Sequence, residues 1–187
     1  EGGVITTNDN LLAVRLKELR SHGITKDQNK FITNTGENWI YEQHELGFNY
    51  RMNDIEAALG LSQLERLDEI IFKRNQHFNF YQDLIKKLPF KLLEIPENVK
   101  SSIHLAVIKL EINKPGLQKF LFDKLRDCGI GVQVHYFPIH LQPYYRNLGF
   151  QKGDFPNCEI LSSTCLSIPL FEEITTEEQK RVIIALK

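Results

Sequence analysis

Apolar positions recur at intervals of three and four along much of the chain, and this spacing predicts most of its helices. Leu11, Leu12, Val14, Leu16 and Leu19 form one such stretch, with Asp9 or Asn10 ahead of it as a cap. It stops at Arg20-Ser21-His22-Gly23, where a glycine suits the left-handed position after a helix and the basic groups suit its negative end. Val4 to Thr7, just upstream, reads as a short strand. Residues 24–46 show no period and predict a long loop, and such loops in compact proteins often carry function. Asn53 or Asp54 then caps a helix with Ile55, Leu59, Leu61, Leu64, Leu67, Ile70 and Ile71 as its apolar positions. The pattern runs on through Phe78, Tyr81, Leu84 and Leu88 to Pro89. Roughly 35 residues would reach roughly 50 Å, enough to join two bodies. The division is expected inside that helix near Arg74, giving domains 1–73 and 74–187.

After Pro89 the rhythm changes. Ser102 to Ile112 and Gly131 to Tyr136 are strand-like, and Pro115 to Cys128 is helical, with Pro115 in the first turn. Short helices are expected near Leu141–Leu148 and Pro156–Cys165, and an extended piece at Ser167–Leu170. Thr175-Thr176-Glu177-Glu178 opens a last helix. The prediction is a small α/β unit on an antiparallel or mixed sheet.

Composition narrows the function classes. Net charge is −1 and no basic run appears, so nucleic acid is not an expected partner. No stretch of about 18 apolar residues exists, so no membrane span is expected. Three cysteines without a CxxC pattern read as reduced thiols in a cytoplasmic protein. Glu1-Gly2-Gly3 running into Val4-Ile5 reads as the middle of a domain.

Two segments carry candidate chemistry. Gly47-Phe48-Asn49-Tyr50-Arg51-Met52-Asn53-Asp54 lies at the mouth of a helix. Arg51 is a planar fork suited to phosphate or carboxylate, Asn49 adds a neutral donor, and helix N-terminal amides favour the same anions. A capped helix start with a packed aromatic pair explains the same residues. Val134-His135-Tyr136-Phe137-Pro138-Ile139-His140 supplies two histidines and a tyrosine as donors near neutral pH, and a solvated loop explains them equally well. No metal is expected, because His135 and His140 have neither a cysteine pair nor a carboxylate at useful spacing.

In this order, Glu1-Gly2-Gly3, Arg20-Ser21-His22-Gly23, Gly47-Phe48-Asn49-Tyr50-Arg51-Met52 and Asp54 with Ala57-Ala58-Leu59-Gly60 resemble the DegT/StrS family of sugar aminotransferases. The resemblance spans essentially the whole chain. Ser101 to Leu105, Gly129 to Tyr136 and His140 to Tyr145 are similar to the pseudaminic-acid branch of that family. The resemblance implies an α/β fold, the C-terminal part of a PLP-dependent transferase of fold type I. A remnant of the large domain would precede a small C-terminal α/β domain. It implies pyridoxal 5'-phosphate as cofactor and a homodimer with shared active sites. The implied reaction moves an amino group from glutamate to C4 of a UDP-linked 4-keto-6-deoxy-N-acetylhexosamine. Asn49 and Arg51 would reach the partner subunit's cofactor or substrate phosphate region, and His135, Tyr136 and His140 would lie near the nucleotide-sugar. The lysine that carries the cofactor is expected upstream of Glu1, leaving no catalytic residue in this chain and no activity in it alone. The rival expectation is a non-catalytic nucleotide-sugar-binding or dimerisation module of the same fold.

Overall fold

A computed structural model describes residues 2–33, 36–112 and 114–187, which form two compact units, Glu1–Glu65 and Arg66–Lys187. The first unit holds α1 (Asn10–Leu19), β1 (Ile24–Thr25), a 3-10 turn at Gln28–Lys30, β2 (Glu42–Gln43) and α2 (Asp54–Glu65). Asp9 caps α1 as expected, its carboxylate accepting from the amides of Leu11 and Leu12 at 2.8 and 3.1 Å. β1 and β2 pair antiparallel, with Ile24 opposite Gln43 and Thr25 opposite Glu42. Val4 to Thr7 is not a strand in this structure. Its residues suit one, but no strand among the described residues pairs with it, and Val4 and Ile5 stay exposed.

The helix expected from Asn53 to Leu88 is interrupted. α2 ends at Glu65, Arg66 leaves helical geometry (φ −107°, ψ 4°), and α3 runs Leu67–Ile85. Both helices carry the same three-and-four spacing, so the apolar pattern is blind to a one-residue break. Asp68 and Glu69 in the first turn of α3 suit a new helix N-terminus.

The second unit continues with β3 (Phe90–Leu92), β4 (Ala106–Leu110), α4 (Leu117–Asp127), a 3-10 turn at Ile139–Leu141, α5 (Pro143–Asn147), α6 (Pro156–Thr164), β5 (Cys165–Ile168) and α7 (Thr176–Leu186). The sheet is antiparallel in the order β3-β4-β5. Register places Phe90, Leu92, Leu110, Ile108, Ala106, Leu166 and Ile168 on one face, all buried. Tyr81 of α3, Leu125 of α4 and Val182 of α7 join them in the core. Lys91, Lys109 and Ser167 fall on the other face, because side chains alternate along a strand.

Three details differ from expectation. Gly131–Tyr136 forms only an isolated bridge, Gln133 to Ser167, and not a strand. Pro115 lies ahead of α4, because Gly116 at φ 82° is left-handed and cannot belong to the helix. Phe90–Leu92 was not expected as a strand; three residues are too few to display a period.

Polar groups of α3 tie the loops of this unit together. Arg74 donates to the carbonyls of Ile103 (2.8 Å), Leu170 (3.1 Å) and His104. Asn75 donates to Ser101, and Gln179 of α7 donates back to the His77 carbonyl at 2.8 Å. Ile103 has a positive φ of 42°, so the guanidinium holds a bend that the backbone alone disfavours. The Tyr81 hydroxyl, by contrast, is buried facing the Gln179 side chain, with no partner within hydrogen-bond distance among the described residues. Arg74→Ala is therefore expected to cost about 2–4 kcal/mol, since three carbonyls lose their donor. Tyr81→Phe should change stability by less than about 1 kcal/mol, because it removes an unpaired group. Chemical denaturation of both variants measures the contrast, and equal losses would contradict it.

Candidate functional site

In the first unit the segment Glu45–Tyr50 crosses the end of α1 at backbone contact. His22 donates its amide to the Phe48 carbonyl (2.8 Å), Phe48 to Leu19 (2.7 Å), Tyr50 to Arg20 (2.9 Å) and His44 to Gly23 (3.0 Å). A Cβ on Gly47 would sit 2.1 Å from the Gly23 nitrogen, so only glycine admits the crossing. Gly23, at φ 69°, is left-handed, and a Cβ there would lie 1.9 Å from the Glu45 carbonyl oxygen. Arg15 of α1 grips the Glu45 carboxylate with two nitrogens, at 3.1 and 3.3 Å.

This crossing presents the next residues outward. Asn49 pairs with Ser21 in an isolated bridge, and Phe48 and Tyr50 stack with ring centres 4.7 Å apart. Arg51 is exposed and makes no ion pair among the described residues. The start of α2 is less available to an anion than its sequence suggests. Asn53 accepts from the Glu56 amide (2.9 Å) while the Glu56 carboxylate accepts from the Asn53 amide (3.3 Å), a reciprocal cap. Asp54 and Glu56 add negative charge to the first turn. An anion here would be held by the Arg51 fork and not by the helix end.

Sequence reasoning missed a second polar knot in this unit. Glu42 of β2 accepts from His44 Nε2 (2.7 Å), from the Ile32 and Thr33 amides (2.8 and 2.7 Å), and from the Thr33 hydroxyl. These donors stabilise the carboxylate, His44 most, then Thr33 and the Ile32 amide, and hold its pKa at about 2 against the usual 4.5. Glu42 and His44 are two apart near a strand, hence on one face, and that spacing was the available signal. Asn34 and Thr35, inside the expected loop, lie outside the described residues.

In the second unit the histidine segment begins where Gln133 and Ser167 exchange backbone bonds at 2.8 and 3.3 Å. His135 is half-buried, its Nδ1 lying 2.8 Å from the Ser167 hydroxyl. Tyr136 is 70% exposed and Phe137 and Ile139 are exposed, while Pro138 is buried. His140 is only 7% exposed, its Nε2 lies 2.9 Å from Glu159, and its ring meets the edge of Phe155. Of the expected substrate residues in this segment, Tyr136 is open to solvent and the two histidines are engaged within the protein. Neither Ser167 nor Glu159 was singled out from sequence, because partners 32 and 19 residues away leave no periodic trace.

Among the described residues no group of three or more His, Cys, Asp or Glu is placed to hold a metal ion. No helix among them is long and apolar enough to cross a membrane.

Comparison with known proteins adds to this geometry. The profile of the DegT/DnrJ/EryC1/StrS aminotransferase family matches residues 1–187. The UDP-4-amino-4,6-dideoxy-N-acetyl-beta-L-altrosamine transaminase of Campylobacter jejuni is 36% identical over 97% of this chain and 46% of its own. A solved structure of a Streptococcus pneumoniae protein described as a sugar aminotransferase, Spr1654, in its PMP form, superposes with a TM-score of 0.87. It is 27% identical, with coverage of 97% of this chain and 45% of that one. Helicobacter pylori PseC, an aminotransferase of pseudaminic acid biosynthesis, superposes at 0.83 with 29% identity, over 96% of this chain and 46% of that one. The chain spans about half the length of the curated relatives it matches.

Two outcomes follow for the first unit. Gly47→Ala should cost more than about 3 kcal/mol, because the clash is with backbone and no side chain can yield. A variant that unfolds at the wild-type denaturant midpoint would refute the crossing. For Glu42, the folded pKa lies below the unfolded one, so its contribution is present above about 4.5 and is lost as pH falls through about 2. Carbon-13 NMR of the Glu42 carboxyl should give a midpoint near 2, moving upward in His44→Ala and Thr33→Ala. Titration at the ordinary value would show that the knot is not formed in solution.

Proposed function

The chain belongs to the DegT/DnrJ/EryC1/StrS aminotransferase family, and from that premise we propose that it is part of an enzyme that transfers an amino group from glutamate to C4 of a UDP-linked 4-keto-6-deoxy-N-acetylhexosamine, with pyridoxal 5'-phosphate as cofactor, and that this chain alone, without the Schiff-base lysine, is inactive. The similarity to the Campylobacter transaminase and to Helicobacter PseC supports the substrate class. Relatives solved in PLP and PMP forms support the cofactor. We take residues 1–73 as the C-terminal part of the cofactor-binding domain, including the start of α3, and residues 74–187 as the small domain; the compact units of this structure divide at Glu65 and Arg66, a few residues earlier.

The observation that carries this reading is an exposed Arg51 without an ion pair among the described residues, held outward by a backbone crossing. The donor set fits the cofactor. A guanidinium matches phosphate or carboxylate with two parallel bonds, and Asn49 supplies a neutral donor two residues away. When bound, pyridoxal phosphate supplies the electron sink for amino transfer. The residues of this chain bind and orient: Arg51 and Asn49 at the cofactor or substrate phosphate, and Tyr136, with His135 and His140 behind it, at the nucleotide-sugar.

A homodimer with shared sites is part of the proposal. α2 has no buried residue, and Ile55, Leu59, Leu61 and Leu64 are all more than half exposed. Apolar surface of that kind calls for cover by another surface.

Arg51→Ala in the full-length enzyme should lower affinity for pyridoxal phosphate or for the UDP-sugar by about 10- to 100-fold. Arg51→Lys should recover only part of it, since an ammonium lacks the fork. Cofactor absorbance during titration and KM for the UDP-sugar measure the two routes. If both are unchanged in Arg51→Ala, the assigned role is wrong. The reaction itself is tested by 2-oxoglutarate release from glutamate in the presence of the keto sugar.

A further inference from the structure

Ser21 and Asn49, far apart in sequence, meet across the crossing as a narrow pair. An isolated antiparallel bridge joins them. The two backbone bonds that close it belong to their neighbours: the His22 amide donates to Phe48 at 2.8 Å and the Tyr50 amide to Arg20 at 2.9 Å. Residues opposed in this way have Cα atoms about 4.5 Å apart and side chains on one face. The aromatic stack fixes which face that is. Phe48 and Tyr50 lie ring on ring, nearly parallel, on one side of the segment. Asn49, between them, therefore points to the other side, and Ser21 with it. The same alternation puts Arg51 on the Asn49 side, and leaves Arg20, opposite Tyr50, on the aromatic side.

Three polar side chains are thus brought to one face, and none of them is engaged. Ser21 meets its backbone needs in the helix stop, its amide donating to Glu18 (2.9 Å) and its carbonyl accepting from Ile24 (3.3 Å). Its hydroxyl, the Asn49 side-chain amide and the Arg51 guanidinium have no hydrogen bond or ion pair among the described residues. Asn53, the next amide along the chain, is by contrast taken up in capping α2. Ser21 is half-buried while Asn49 and Arg51 are exposed, so the hydroxyl forms the inner end of the cluster.

The number of donors selects the ligand. A carboxylate has two oxygens, and the Arg51 fork alone satisfies both. Each phosphate of a diphosphate linkage also has only two free oxygens. A terminal phosphate has three, enough for the fork and for the two neutral donors beside it. We propose that Ser21 is the third arm of a terminal-phosphate site with Asn49 and Arg51, placed there by the narrow pairing of Ser21 with Asn49. The identity of the phosphate, that of pyridoxal phosphate, rests on the function proposed above; the grouping of the three side chains rests on the bridge and the stack.

The test uses the full-length protein freed of cofactor and titrated with pyridoxal phosphate, followed by absorbance. Ser21→Ala should raise Kd about tenfold, and Ser21→Thr, which keeps the hydroxyl, should stay within about threefold of wild type. Pyridoxal, the same ring without the phosphate, should bind wild type and Ser21→Ala within about threefold of each other. The denaturation midpoint of Ser21→Ala should not move, because every backbone bond of the crossing remains. An unchanged Kd in Ser21→Ala, where Arg51→Ala weakens the cofactor, overturns the role of Ser21 and leaves the proposed function standing. Equal weakening of pyridoxal and its phosphate also overturns it, since that is the mark of a structural residue. A raised KM for the UDP-sugar with an unchanged cofactor Kd overturns the terminal-phosphate assignment. If the wild-type protein binds no pyridoxal phosphate, the proposed function falls, and inorganic phosphate decides the cluster. Phosphorus-31 line broadening by wild type that is lost in Ser21→Ala supports it, and equal broadening, or none with either protein, overturns it.

Discussion

Everything the first unit offers to a ligand depends on two glycines passing within backbone distance of each other. Gly47 approaches Gly23 so closely that a single methyl would strike the opposing nitrogen at 2.1 Å. The approach lets amides of 22, 44, 48 and 50 find carbonyls across the crossing. Those bonds fix the orientation of Asn49 and, one step further, of Arg51. A crossing stabilised by backbone bonds is insensitive to the identity of its side chains, apart from the two positions that must have none. The unit needs such a device because it has little else. Its large apolar side chains are largely exposed, and no residue of α1 or α2 is buried. A piece this small buries too little apolar surface to hold itself by packing alone.

The second unit solves the same problem in the opposite way. Its sheet face, α3, α4 and α7 share one apolar core, with Tyr81, Ile108, Leu125 and Leu166 essentially without solvent exposure. Hydrophobic burial holds the elements, and the polar side chains of α3 then hold the loops. Arg74 closes on three carbonyls from two separate loops, and Gln179 ties α7 to α3. The result is one core whose loops are fastened by side chains of α3 and α7.

Sequence periodicity revealed elements that repeat apolar positions over several turns. α1 was visible with its cap and α4 and α7 as helices, and α7 carries the expected early acids in a full Thr175–Glu178 box. Features set by tertiary placement were not visible. The break at Arg66 changes no apolar position, so the spacing ran straight through it. Among the described residues Val4–Thr7 has strand-forming side chains but no partner, and Gly131–Tyr136 gains one bridge and no ladder. For the candidate site, residue types marked two segments but did not show which of their side chains would be open to solvent and which engaged within the protein. A histidine reads the same whether its ring faces a ligand or, like His140, is folded against a carboxylate nineteen residues away.

Two arginines make the point sharply. Arg74 and Arg51 carry the same planar fork, and either could be proposed as an anion receptor from its chemistry alone. Arg74 spends its Nε and its Nη2 on the carbonyls of Ile103, His104 and Leu170, so most of its fork is committed to the fold. Arg51 stands exposed beside a helix end already capped by Asn53 and crowded by Asp54 and Glu56. Those neighbouring carboxylates would repel an anion from the helix amides while leaving the outer fork of Arg51 accessible. An unsatisfied guanidinium on a fixed backbone is a binding element, and a satisfied one is a structural clamp. The difference lies in what the fold has already given each to hold.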